Sequence, residues 1–105
     1  MWIRAALWEG CVRSGEAALF RSLLEGEMLP ALRDLPAVRH VQILWPDSFE
    51  GRAPDIICQI LVHYDDEAGM RRMLASPGRA ALRARLPELA ALVEGGLSHV
   101  NFHVA

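Results

Sequence analysis

The chain has 105 residues, of which 52% are hydrophobic and 23% charged, with a formal net charge of −2. That length and balance fit one globular domain, residues 1–105, and exclude a two-domain protein and a disordered chain. The charge provides no basic field for nucleic acid or an anionic membrane, no apolar run reaches the ~20 residues of a membrane span, and the eleven basic residues are all arginine, which excludes a Schiff-base lysine.

Residues 2–9 alternate, Trp2, Arg4, Ala6 and Trp8 against Ile3, Ala5 and Leu7, and predict a first strand. Ser14-Gly15-Glu16 opens a helix, with Ser14 as N-cap and Glu16 favourable in the first turn. Phe20, Leu23, Leu24 and Met28 form its apolar stripe, which Gly26 and Pro30 interrupt. Pro30 begins a second short helical piece through Leu35, and Pro36 ends it. Val38 to Trp45 alternates again, as a second strand. Pro46 to Pro54 is a polar loop rich in breakers. Ile56 to Tyr64, rich in β-branched residues, is a third strand. Asp65-Asp66-Glu67 starts a helix that carries Met70, Met73 and Leu74 and stops near Ser76-Pro77-Gly78. It resumes through Leu82, Leu86, Leu89 and Leu92 until Gly95-Gly96, and Leu97 to Val104 is a last strand.

The order β-α-β-β-α-β predicts an α+β, ferredoxin-like fold. Its sheet is a four-stranded antiparallel one with both helices on one face, in the spatial order fourth, first, third, second strand. Alternation then sorts the side chains. One group, Ile3, Ala5, Leu7, Val41, Ile43, Trp45, Ile56, Cys58, Ile60, Val62, Val100, Phe102 and Val104, is almost wholly apolar and is expected under the helices. Cys58 is there a buried structural thiol. The other group holds Trp2, Arg4, Ala6, Trp8, His40, Gln42, Leu44, Ile57, Gln59, Leu61, His63, Leu97, His99, Asn101 and His103. It is too apolar for bare water and too polar for a sealed core, so a homodimer is expected to bury this face across a two-fold axis.

All four histidines fall in the mixed group, and His103, Arg4, His63 and His40 are expected to form a row near one end of the sheet. The plainest account of such a row is solvated or interfacial structure. As a site, Arg4 and the lack of a carboxylate speak against a metal, and an anionic ligand such as a carboxylate, phenolate or enolate fits better. The candidates for acid/base work are His63, His99 and His103. Arg4 and Asn101 would hold an oxyanion, and Trp8, His40, Gln42 and Gln59 would complete the ligand contacts. Arg71, Arg72, Arg79, Arg83 and Arg85 are expected to be a solvated helix face, since no aromatic interleaving accompanies them. The sequence has no dinucleotide fingerprint, P-loop, zinc-protease motif or nucleophile elbow, and no cofactor is expected. Met1-Trp2-Ile3-Arg4 has no signal-peptide pattern, and Cys11 and Cys58 form no C-x-x-C, so a reduced cytoplasmic protein is expected.

The stretch from Leu29-Pro30-Ala31-Leu32-Arg33-Asp34-Leu35-Pro36 to Gln42, the segment Met73-Leu74-Ala75-Ser76-Pro77-Gly78-Arg79-Ala80-Ala81-Leu82 and the glycine-rich entry into the last strand carry a resemblance. The chain resembles the dimeric α/β-barrel superfamily, most closely its EthD-like branch, over nearly its whole length. The resemblance implies two sheets packed face to face in a dimer. It also implies action on a small hydrophobic or aromatic molecule by cofactor-free acid/base chemistry of monooxygenase, cyclase or isomerase type. The alternative is a non-catalytic homodimeric ligand-binding or accessory module. In several branches of the superfamily the cavity lies between sheet and helices, whereas the histidines read above lie on the other face. Glu25-Gly26-Glu27-Met28 lacks the Trp and His that EthD-like relatives often carry near the end of the first helix, so no catalytic role is carried over there.

Overall fold

The computed structural model describes all residues, 1–105. Strand β1 (Trp2–Val12) leads into α1 (Ala17–Leu23), a π-helical turn at Leu24–Met28 and α2 (Leu29–Arg33). Strands β2 (His40–Leu44) and β3 (Ile56–Tyr64) follow. The chain then runs through α3 (Glu67–Leu74), α4 (Pro77–Ala84) and α5 (Leu86–Ala90) into β4 (Val93–His103). The four strands form one antiparallel sheet in the order β2-β3-β1-β4, the ferredoxin-like arrangement that the element order predicts.

Local chemistry sets most boundaries. The Asp66 carboxylate accepts from the Gly69 N–H at 2.7 Å and starts α3. Ser76 does the same for α4, accepting from the Arg79 N–H at 3.2 Å, with Pro77 in the first turn. Ser14 does not cap α1; that helix begins at Ala17, and Glu16 occupies the cap position without a side-chain bond. Gly26 and Pro30 do not break the first helical run. Pro30 has no N–H for the Gly26 carbonyl, and its ring would crowd that carbonyl in a regular α-turn. The widened turn, in which the Leu29 N–H reaches the Leu24 carbonyl, accommodates both.

Gly95-Gly96 also differs from expectation: it lies inside β4, which begins four residues before Leu97. Gly10 pairs with Gly95, at φ of +109° and +148°, and a Cβ on either would collide with the Glu94 or Glu9 carbonyl. Both backbones pass where only glycine fits, so the β1–β4 ribbon continues to Val12 and Val93.

The helices cover one face of the sheet. The core beneath them includes Trp8, Phe20, Leu24, Val41, Cys58, Tyr64 and Leu89, all 2% exposed or less. Phe20 meets Trp8 edge-on, with ring centroids 5.6 Å apart.

The register corrects the expected sorting of side chains. Arg4 stands opposite Val62 and Asn101, Ala6 opposite Ile60 and His99, and Trp8 opposite Cys58 and Leu97. Directly paired residues share a face. Trp2, Arg4, Ala6 and Trp8 therefore lie under the helices with Cys58, Ile60, Val62 and Tyr64. Ile3, Ala5 and Leu7 lie on the open face with Leu61, His63, Gln42, Val100 and Phe102. Alternation within each strand is as expected; the phase of β1 and β4 relative to β2 and β3 is reversed. Both sides of β1 are apolar enough to be buried, so its composition does not fix which side faces the helices.

Candidate functional site

A cavity of about 490 Å³ lies between the sheet and the helices. Arg4, Ala6 and Trp8 of β1, Ile60 and Val62 of β3, and Leu97 and His99 of β4 form its floor. Leu24 and Met28 of the π-helical turn, Leu32, Met73, Leu82 and Leu86 line its helical wall, and the cavity is open to solvent. Fourteen of its nineteen lining residues are hydrophobic, so an occupant must be largely apolar. Ala6 and Gly96 stand where larger side chains would fill the space.

The exceptions are concentrated. Arg4, Arg79, Arg83 and His99 are the only titratable side chains in the lining. Arg79 and Arg83 are four residues apart on α4 and share the cavity lining with Leu82 of α4 and Leu86 of α5. Across the molecule, Arg13, Arg21, Arg39, Arg52, Arg71 and Arg85 have carboxylate partners. The three cavity arginines have none. Arg4 donates from Nη1 to the Asn101 Oδ1 at 3.0 Å, which aims the guanidinium along the floor. Burial and the nearby Arg79 lower the Arg4 pKa, but a guanidinium so placed stays charged.

The same charges act on His99. His99 is exposed on the β4 side of the cavity, and partial desolvation there, then Arg4, Arg79 and Arg83, push its imidazole down to about 4. At neutral pH the ring is uncharged, with one nitrogen free to accept a proton. Near Arg4 but outside the cavity lining, Tyr64 is fully buried and its hydroxyl has no hydrogen-bond partner. Burial raises its pKa to about 12 against the opposing pull of Arg4, so it stays a phenol. Cys58, pushed up to about 12 by burial alone, is no nucleophile.

The expected row of His103, Arg4, His63 and His40 does not form, because the sheet divides it. Arg4, Trp8 and His99 line the cavity, and Asn101 holds Arg4. His103 shares their face but packs on Trp2, with ring centroids 5.4 Å apart, outside the cavity. His63, His40, Gln42 and Gln59 lie on the open face. There the His63 and His40 rings are 5.3 Å apart, and His63 Nε2 lies 2.9 Å from Gln42 Oε1. Burial and His40 lower the His63 pKa. Gln59 reaches a separate shallow recess beside Trp45 and Phe49.

Arg79 and Arg83 also line the cavity, Arg79 half-buried and Arg83 still exposed as expected of a solvated helix face. Arg71, bonded to Glu67, and Arg85, bonded to Glu27 and Glu88, do belong to a solvated surface. The spacing of Arg79, Leu82, Arg83 and Leu86 carried the missing signal, since it places both arginines beside the apolar stripe of α4 and α5.

No family model matches the chain, and no curated protein matches it. Solved structures do. An EthD family protein of Bacillus halodurans superposes with a TM-score of 0.79 at 14% identity, covering 100% of this chain and 99% of that one. A protein described as antibiotic biosynthesis monooxygenase superposes at 0.64 with 13% identity, covering 100% and 99%. A dimeric ferredoxin-like protein of unknown function from Thermobifida fusca superposes at 0.60 with 20% identity, covering 99% and 92%. The chain thus shares the ferredoxin-like fold of EthD-like and monooxygenase-like proteins. No helix is long and apolar enough to cross a membrane.

Proposed function

We propose that the cavity binds a small hydrophobic molecule and that His99 moves a proton on it without a cofactor. The observation that carries this reading is that His99 and three guanidiniums are the titratable side chains gathered on one otherwise apolar cavity. A neutral imidazole accepts a proton from an acidic C–H or O–H of the bound molecule, leaving an enolate or phenolate. Arg4, Arg79 and Arg83 are placed to stabilise the oxygen where that charge develops, with Asn101 orienting Arg4. The developing anion also offsets the cations that depress His99, so the base strengthens as the charge forms. Enolate formation of this kind opens cyclisation, isomerisation and cofactor-free oxygenation, and a fold neighbour described as a monooxygenase accords with it. Trp8 and Leu97 carry the apolar body.

Two copies pack open face to open face in this account. Leu44, Val100 and Phe102 are each over 40% exposed there, and the Thermobifida neighbour is described as dimeric. His40, Gln42, Gln59 and His63 then belong to the interface and not to the chemistry. Each subunit keeps its own cavity, because the cavity lies on the opposite side of the sheet.

Proton exchange tests the chemistry. The protein is incubated with 2-tetralone in D₂O, and α-deuteration is followed by NMR. The expected rate exceeds that of buffer and falls by ~10-fold or more in His99→Gln, while His63→Gln leaves it unchanged. Equal rates in wild type and His99→Gln overturn the role of His99.

A further inference from the structure

The charge at the cavity exceeds what proton transfer alone requires. One guanidinium suffices for a single developing oxyanion, and three are present. None of the thirteen acidic residues lines the cavity, although the chain as a whole carries a net charge of −2. Six other arginines have found carboxylates, so acidic partners are not scarce in this protein. Arg33 and Arg72, both exposed, also lack ion pairs, but the cavity gathers three such cations with no acidic residue in its lining. Arg4 and Arg79 are near enough to act on one another's charge, and all three cations act on His99. Such a cluster repels itself until something negative enters.

We infer that the ligand brings a permanent negative charge of its own: it is a hydrophobic acid, with a carboxylate or similar planar oxyanion held by Arg4, Arg79 and Arg83 and its apolar body over Trp8 and Leu97. This rests on the cavity being the ligand site and adds the class of molecule that fills it. The guanidinium fork matches a planar carboxylate with two parallel N–H···O bonds, which an ammonium would not. Beyond the arginines, only Trp8 and His99 among the lining side chains carry an N–H for a second polar end. A sugar phosphate or a nucleotide would leave its hydroxyls and ring nitrogens unpaired there, whereas a fatty or aromatic acid would not. Arg79 and Arg83 thus select the ligand.

A matched pair of probes separates charge from shape. 2-Naphthoate and 2-naphthamide have the same ring and nearly the same outline, and only the first is charged. Calorimetry on wild-type protein is expected to show naphthoate binding roughly tenfold or more tighter, with the advantage shrinking as salt rises from ~0.05 M to ~0.5 M. Arg79→Gln and Arg83→Gln are each expected to erode that advantage while leaving naphthamide affinity unchanged. Equal or tighter binding of naphthamide overturns the acid and leaves the cavity reading intact. An advantage for naphthoate that survives both substitutions overturns the assignment of the arginines. Failure of both probes to bind overturns the ligand cavity itself.

Discussion

The two faces of the sheet are built from the same four strands and do different work. The helix-covered face contains Trp8, Cys58 and Tyr64, all 2% exposed or less, and a cavity with three unpaired arginines at its edge. The open face contains Leu44, Val100 and Phe102, all over 40% exposed, with no helix above them. Each face has histidines. Those on the open face interact with one another and with Gln42, whereas His99 stands among cations. A histidine row is thus no guide to a site by itself. Its surroundings decide what its protons can do, and those differ across one sheet thickness.

The largest expected effect breaks the comparison through the core. Trp8→Ala removes a buried indole packed on Phe20 and is expected to cost about 3–5 kcal/mol in denaturant unfolding, independent of protein concentration. Phe102→Asp on the open face should act differently. It removes little buried surface within the subunit, so its cost should appear only as a concentration-dependent loss of the dimer, with the mass in light scattering falling by half. A concentration-independent loss as large as that of Trp8→Ala would refute the open face as an interface.

The next contrast is in pH. The folded His99 titrates about 4 and the unfolded one near 6.5. Between those values the unfolded chain binds the extra proton, so stability falls as pH drops from 6.5 towards 4. His99→Gln is expected to flatten that part of the stability curve. Direct NMR titration of the ring protons should give His99 the lowest midpoint. Bound naphthoate should raise it, and leave His63 where it was, because the anion offsets the guanidiniums on one side of the sheet only. A rise at His63 instead would place the ligand on the open face.

The smallest effect concerns the apo protein. Arg83→Gln removes one member of a self-repelling cluster and no ion pair. Its unfolding free energy should change by no more than about 0.5 kcal/mol, towards greater stability. A loss of several times that size would show that Arg83 has a structural partner and is not held for a ligand.

Much of the fold was legible in the residues. Ile56 to Tyr64 forms the expected third strand to the residue, and α3 starts at the acidic run where Asp66 caps it. The strand order follows from the element order. What failed was phase. Alternation shows that Arg4 and Trp8 share a face, but only the register with Val62 and Cys58 shows which face that is. Register is a property of pairs, and one strand does not contain it. Gly95-Gly96 misled for a related reason. A double glycine ends helices well, but here it serves a close passage against Gly10 that exists only once both strands are in place. The residues that line the candidate cavity were half legible for the same cause. His99, Arg4, Trp8 and Asn101 were picked by residue type, while His63 and His40 entered with them through the wrong phase. Arg79 and Arg83 were passed over because a basic helical run is usually solvated, and Arg71 and Arg85 in the same run are.

We place the ligand between sheet and helices and not between subunits. Methyl and amide chemical-shift mapping with 2-naphthoate tests this placement most directly. The expected result is a set of shifts at Ala6, Met28, Met73, Leu82 and Leu97, with Leu61, Val100 and Phe102 unmoved. Shifts confined to Leu61, Val100 and Phe102 would contradict it and return the site to the open face.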